Sequence, residues 1–311
     1  MISMVALGDI HTYRLTVPPW LLLSKRLFGQ MNLWLSRRHR FDLSILPLVA
    51  KRITEVNPEL LLATGDFSST ARPEELEDAA RPLRTLMRQV PTIAIPGNHD
   101  RYTPWTAWKS TFERSFGPFM PTRFPHFRLL NDRWALLVLD SAVPRAFYSS
   151  RGKLGRSQIE QVRAYLSTLT DQQGVVVLCH YPIATPPGVP MLWSHRMADA
   201  DVLTAVLAEF FARRSLTAGR LIYIHGHTHC CALHEYRTGK LAGMVDLDAG
   251  AACLANRMYG LGQGFWQLFL PDDPADRILA RHHRPIGRKD PQWITSDQVV
   301  PPRGNPPTDN R

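Results

Sequence analysis

Asp9-Ile10-His11, Gly65-Asp66, Gly97-Asn98-His99-Asp100, His180 and Gly226-His227-Thr228-His229 each stand at the end of an apolar run. Their side chains are carboxylates, a carboxamide and imidazoles, a mixed donor set that suits manganese, iron or zinc better than calcium or magnesium. Any one of these blocks has an ordinary explanation. Asn, Asp and Gly are common turn residues, and a lone histidine at a strand end is more often a satisfied core residue than a ligand. Five such coincidences in one chain point instead to metal chemistry. Asp9, His11, Asp66, Asn98, His180, His227 and His229 are too many donors for one ion and enough for two. If one carboxylate bridges, the ions stand ~3.5–4 Å apart, the spacing of two-metal phosphoryl chemistry. Two divalent ions outweigh the two negative charges of Asp9 and Asp66. Such a centre stays electropositive, so it can deprotonate a bridging water and still attract a phosphate dianion.

The elements that would hold these groups alternate between apolar strands and amphipathic helices. "SMVALGD", "LLLATGD", "TIAIPGNHD", "WALLVLD", "VVVLCH" and "LIYIHGHTH" read as buried strands. Between them, Leu43-Leu46-Ala50-Ile53, Leu76-Ala80-Leu83-Met87, Ile159-Val162-Leu166-Leu169 and Val202-Val206-Phe210 recur at helical spacing. Pro82 predicts a kink in the second of these helices, and Asn57-Pro58 ends the first. "ALHEYR", "GMVDLDAG" and "GFWQLFL" read as further strands. A βαβα first half and a mainly β last third predict an α/β fold of two stacked mixed β-sheets flanked by helices. Carboxyl ends of parallel strands converge on one crevice, where ligands bind.

Taken in order, the series D-x-H, G-D, G-N-H-D, H and G-H-x-H resembles the calcineurin-like metallophosphoesterase superfamily. All five blocks are complete and stand between residues 9 and 229. The resemblance implies a β-sandwich flanked by helices, in agreement with the reading above. It also implies one ion held by Asp9, His11, Asp66 and His229, and another held by Asp66, Asn98, His180 and His227, with Asp66 as the bridge. His99 would contact the phosphate and protonate the leaving oxygen, and Asp100 would hold His99 in orientation. Leu139-Asp140-Ser141 and the helix around Gln158 to Leu166 resemble the subgroup that includes bacterial cyclic-nucleotide phosphodiesterases. His225 has no role in the family pattern and reads either as structural or as an outer contact of the site.

The chain has 311 residues, 44% hydrophobic and 21% charged, which excludes wholesale disorder. A net charge of +10 implies acidic partners such as phosphate esters, nucleic acid or an anionic membrane face. Cys179, Cys230, Cys231 and Cys253 form no C-x-x-C pair or regular framework, which fits a reducing compartment. The start lacks a basic n-region and leads directly into Asp9, so it does not read as a signal peptide. No apolar run reaches a membrane span. These features predict a cytoplasmic protein, with a peripheral contact to the inner face of the membrane as the alternative.

Two segments depart from the site. Residues 12–41 carry Trp20, Leu23, Leu27, Met31 and Trp34 on one helical stripe, among Lys25, Arg26, Arg37, Arg38 and Arg40. They form either a helical insertion packed on its own core or an amphipathic helix that meets anionic lipid. Residues 285–311 are proline-rich and predict a loosely ordered tail behind a single domain at 1–284. The expected function is hydrolysis of a phosphate ester, with a phosphodiester such as a cyclic nucleotide foremost. A lipid-linked phosphate or pyrophosphate is the alternative substrate. A nucleic-acid-binding or scaffold protein on the same fold is the alternative of another class, although no specific nucleic-acid contact is expected.

Overall fold

A strand covered on both faces has no polar side to show, and Leu60-Leu61-Leu62-Ala63 is buried at every position. The computed structural model describes residues 1–15, 26–35, 40–145, 149–184, 192–215, 218–254, 263–286 and 292–302. Its first half runs β1 (Ile2–Leu7), α1 (Arg26–Leu35), α2 (Leu46–Val56), β2 (Leu60–Ala63), α3 (Pro73–Gln89) and β3 (Thr92–Ala94). Then come α4 (Pro104–Trp108), α5 (Thr111–Phe116), β4 (His126–Leu129), β5 (Trp134–Val138), α6 (Arg156–Thr168) and β6 (Gly174–Leu178). The rest is α7 (Ala200–Ala212), β7 (Leu221–His225), β8 (Ala232–Glu235), β9 (Met244–Asp248), β10 (Phe265–Leu270), β11 (Ile278–Ile286) and β12 (Gln292–Val300).

These strands make two six-stranded mixed sheets, ordered β12-β11-β10-β1-β2-β3 and β4-β5-β6-β7-β9-β8. Strands β1, β2 and β3 are parallel, as are β5, β6, β7 and β9. Alternate residues of one strand feed different layers. Met4, Ala6, Leu60 and Leu62 pack between the sheets against Leu136, Val176 and Ile222. Their neighbours Val5, Leu7, Leu61 and Ala63 face outward onto Val49 and Ile53 of α2 and onto Leu76 and Leu83 of α3. On the other side Leu137, Val177 and Tyr223 meet Ile159, Val162, Val206 and Phe210 of α6 and α7. The expected layering of helices, two sheets and helices is therefore what the chain adopts.

Some local expectations change. Val202 is exposed, and Leu203 takes the buried position on α7. The tail expected to be loosely ordered from residue 285 instead contributes β12, paired with β11 from Ile278↔Val300 to Ile286↔Gln292. The side chains of β12 are mostly exposed, so hydrophobic patterning left little trace of it. Trp20 and Leu23 lie outside the described residues. Within α1, Leu27 is half-buried whereas Met31 and Trp34 are exposed. Among the described residues no helix is long and apolar enough to cross a membrane, and all four cysteines are free.

Candidate metal centre

The parallel strands of both sheets end on the same side, and their carboxyl ends meet. β1 leads into Asp9 and His11, β2 into Asp66, β3 into Asn98 and His99, β6 into His180, and β7 into His227 and His229. Contact across the sheets is direct. His180 Nδ1 lies 2.8 Å from the Thr64 carbonyl, and the His227 main-chain N–H donates to Asp9 Oδ2 at 2.8 Å. Two glycines make this approach feasible. A Cβ on Gly97 would stand 2.4 Å from the Asp66 nitrogen, and one on Gly226 would stand 2.3 Å from Asp9 Oδ1.

Among the described residues three groups of donors result, each with its ligand atoms within 4.8 Å of one another: Asp9 with His11 and His229, Asp66 with His180 and His227, and His11 with Asp66 and His99. The structure thus brings together every residue expected from the sequence to hold metal. Asn98 joins the second group through Oδ1, at 3.1 Å from His180 Nε2 and 2.9 Å from His227 Nδ1. In the first group, His229 Nε2 lies 3.0 Å from both Asp9 Oδ2 and His11 Nε2. Asp66 Oδ2 stands between the groups, 3.7 Å from His11 Nε2 and 3.5 Å from His180 Nε2.

Proton placement bears on what the second group could hold. A carbonyl only accepts, so the Thr64 carbonyl places the proton of neutral His180 on Nδ1. The His195 carbonyl, 2.9 Å from His227 Nε2, likewise places the His227 proton on Nε2. Bare nitrogen lone pairs, His180 Nε2 and His227 Nδ1, are left facing Asn98 Oδ1 and the Asp66 carboxylate. Such a convergence of acceptors fits a cation, and the carbonyls behind the rings are the outer contacts that orient metal-ligating histidines. Burial agrees with neutral rings. It pushes His180 down to about 3, and it lowers His227 together with the neighbouring His180 and His229. Burial also raises the Asp9 carboxyl, as does Asp248, whereas the His227 N–H opposes the rise.

Backbone strain concentrates at the same residues. His11, Asp66, His227 and His229 all have positive φ, at 57°, 51°, 69° and 59°. Non-glycine residues rarely adopt this region, and they stay there only when their surroundings over-determine them. Asp248 is one restraint that sequence reading missed. It accepts the Thr228 hydroxyl and the Cys230 N–H (3.2 Å) on Oδ2, and the Gly250 N–H (2.8 Å) on Oδ1. Phe41 is another, with its ring 4.9 Å from that of His11 and 5.9 Å from that of His229. Nothing in the local pattern marks either residue, because both come from distant segments.

The His99 side chain differs from expectation. Its Nδ1 lies 2.7 Å from the Ser69 carbonyl, which orients the ring. The Asp100 carboxylate instead accepts the N–H groups of Gly97, Phe67 and Ser68 and the Ser68 hydroxyl, at 2.9–3.2 Å. Asp100 therefore shapes the turn, and the ring is oriented by a carbonyl. Burial lifts the Asp100 carboxyl to about 6 against the opposing pull of those N–H groups. His225 is buried and faces Asp246 at 3.2 Å. Burial alone would lower its pKa, but the Asp246 carboxylate lifts it to about 9. It pairs with Asp246 beneath the turn, two residues before His227. Asp140 and Gln158 meet nearby: Gln158 bonds the Asp140 main chain, and the Asp140 carboxylate pairs with Arg101 at 2.6 Å.

Solved structures share this fold, two of them over most of this chain. A dimetal phosphatase from Danio rerio superposes with a TM-score of 0.57 at 14% identity, covering 94% of this chain and 98% of that one. PhoD superposes at 0.61 and 9% identity, covering 97% and 70%. The likeness to both is one of fold. The family model described as calcineurin-like phosphoesterase matches residues 2–231, and the chain belongs to that family. Among curated proteins, a 3',5'-cyclic-nucleotide phosphodiesterase of Nostoc sp. is 30% identical over 166 residues, 52% of this chain and 56% of that protein. A glycerophosphodiester phosphodiesterase of Enterobacter lignolyticus is 26% identical over 191 residues, 60% and 61%. The matches span less than two thirds of either relative.

Proposed function

We propose that this protein is a metal-dependent phosphoric ester hydrolase that cleaves phosphodiesters at a dinuclear centre, with cyclic nucleotides the foremost substrates. The observation that carries the reading is the pair of donor groups that meet at Asp66 with His99 beside them. Asp9, His11, Asp66 and His229 would hold one ion, and Asp66, Asn98, His180 and His227 the other. The nitrogen and oxygen donors suit Mn or Fe, with Zn also compatible. When bound, two such ions supply Lewis acidity to a phosphoryl oxygen and bring the pKa of water toward neutrality. His99 then acts on the leaving group. Its Nδ1–H donates to the Ser69 carbonyl, which fixes the ring and leaves Nε2 as the atom that would carry the transferable proton. The phosphodiesterase relatives support a diester over a monoester.

A lipid-linked phosphate or pyrophosphate is the second reading. It is supported by α1, which lies within residues 12–41 and exposes Met31 and Trp34. Nucleic-acid binding or a scaffold role finds less support, because a chain without catalysis has no use for a complete donor set held in strained backbone. The test is turnover with added Mn(II) on a panel of cyclic nucleotides, nitrophenyl diesters and monoesters, and lipid pyrophosphates. Preference for diesters supports the reading. Tight binding of two metal equivalents with no turnover of any ester would overturn it.

A further inference from the structure

Large apolar side chains on a protein surface call for an explanation when they gather in one place. Among the described residues the exposed tryptophans are Trp34, Trp105, Trp108 and Trp193, at 59%, 56%, 72% and 66% of full exposure. They come from three separate segments, each tied to the metal centre. Helix α1 approaches through Gly29, where a Cβ would stand 2.8 Å from the Tyr102 hydroxyl, and the Tyr102 ring stacks on His99 with centroids 5.6 Å apart. Helix α4 begins two residues after Tyr102 and carries Trp105 and Trp108, whose rings lie 4.8 Å apart. The short 3-10 turn Trp193–His195 ends on the carbonyl that fixes His227. Met31, Leu35 and Leu192 are exposed beside them.

Charge accompanies this apolar rim. Residues 26–35, 103–110 and 192–196 contain Arg26, Lys109 and Arg196, and no aspartate or glutamate. Lys109 Nζ sits 4.5 Å above the Trp105 ring, and the Arg151 guanidinium 4.1 Å from that of Trp193. Tryptophan with flanking Lys and Arg, free of carboxylates, is the composition that settles at the headgroup level of an anionic bilayer. We infer that the tryptophan-bearing rim around the metal centre, formed by α1, α4 and the Trp193 turn, docks on an anionic lipid bilayer. Docking there holds the mouth of the site against the headgroup layer, where membrane-borne phosphate esters are presented. Single-stranded nucleic acid also uses aromatic and basic groups, but it has no use for exposed Met31, Leu35 and Leu192, and it needs a denser basic track.

The inference rests on the phosphoesterase reading and deepens its second, lipid-linked form, and vesicle binding tests it without turnover. The full chain is sedimented with phosphatidylcholine vesicles, with and without phosphatidylglycerol. Binding is expected only with the anionic lipid, with a blue shift of tryptophan emission and release at about 0.5 M salt, where screening shortens the reach of the charges. Trp105→Ala/Trp108→Ala and, separately, Trp193→Ala should each weaken vesicle binding at least tenfold. Their melting temperature and their turnover of a soluble nitrophenyl diester should not change. No binding of the wild type to anionic vesicles overturns the inference. So does binding that survives both variants, or a loss confined to single-stranded DNA. Vesicle binding without diester turnover would keep the docking face and sink the catalytic reading; turnover without vesicle binding would do the reverse.

Discussion

Asp66 accepts the main-chain N–H of His99 on Oδ1 at 2.7 Å while its Oδ2 lies between the two donor groups. One carboxylate thus faces both proposed ions and pins the turn that presents the proposed acid. Its backbone is held at φ 51°, and Gly97 clears the space beside it. Asp66→Asn keeps an oxygen for the His99 N–H but removes the charge. It should lower metal content at both positions and abolish turnover, whereas His229→Ala should empty mainly one. Metal analysis after dialysis distinguishes them, and two tightly held ions in Asp66→Asn would contradict the bridging role.

His99 separates chemistry from metal holding. His99→Ala should retain its metals and lose ~10²–10⁴ in rate, the usual contribution of a general acid. The loss should shrink for nitrophenolate esters, whose leaving group departs without a proton. Rates across a series of leaving groups are the measurement. A uniform loss would make His99 an electrostatic contact with the phosphate.

Asp248 offers a test of the strained turn. Without its carboxylate, the Thr228 hydroxyl and the Cys230 and Gly250 N–H groups lose their acceptor, and His227 and His229 lose a restraint on their positive φ. Asp248→Ala should weaken metal binding ~10–100-fold, as loss of outer-shell partners does elsewhere. Excess metal should restore much of the turnover. Competition titration against a metal-binding dye measures the shift, and unchanged affinity would assign Asp248 to fold stability alone.

Adjacent histidines on β11 predict the response to acid. His282 packs at a tilt against Trp266 and His283 stacks on Phe265, on opposite faces of the sheet, and burial lowers both to about 4 from an ordinary 6.5. The folded protein keeps them neutral where the unfolded chain takes up protons. Their stabilisation is therefore complete above the unfolded value of 6.5 and is lost as pH falls toward 4. Melting temperatures at about pH 7.5 and about pH 5, in chelator so that metal release does not contribute, should fall more for the wild type than for His282→Gln/His283→Gln. Equal falls would place the acid sensitivity elsewhere.

The sequence by itself determined the donor inventory, the strands that carry it and the layered class of fold. Those signals are local: a strand buried on both faces must read as a continuous apolar run, and the turn leaving it must carry its own glycine and ligands. Tertiary structure alone decided which donors meet. His11 and His229 are far apart in the chain, and only the facing of the two sheets brings their nitrogens to 3.0 Å. The same holds for the carbonyls of Thr64, Ser69 and His195, which orient three rings although a carbonyl has no side-chain signature. β12 escaped detection because an exposed edge strand is held by main-chain bonds to β11, which leave no periodicity of side chains. The exposure of Trp34, Trp105, Trp108 and Trp193 was equally hidden, since an apolar residue reads the same whether folding buries it or leaves it in solvent.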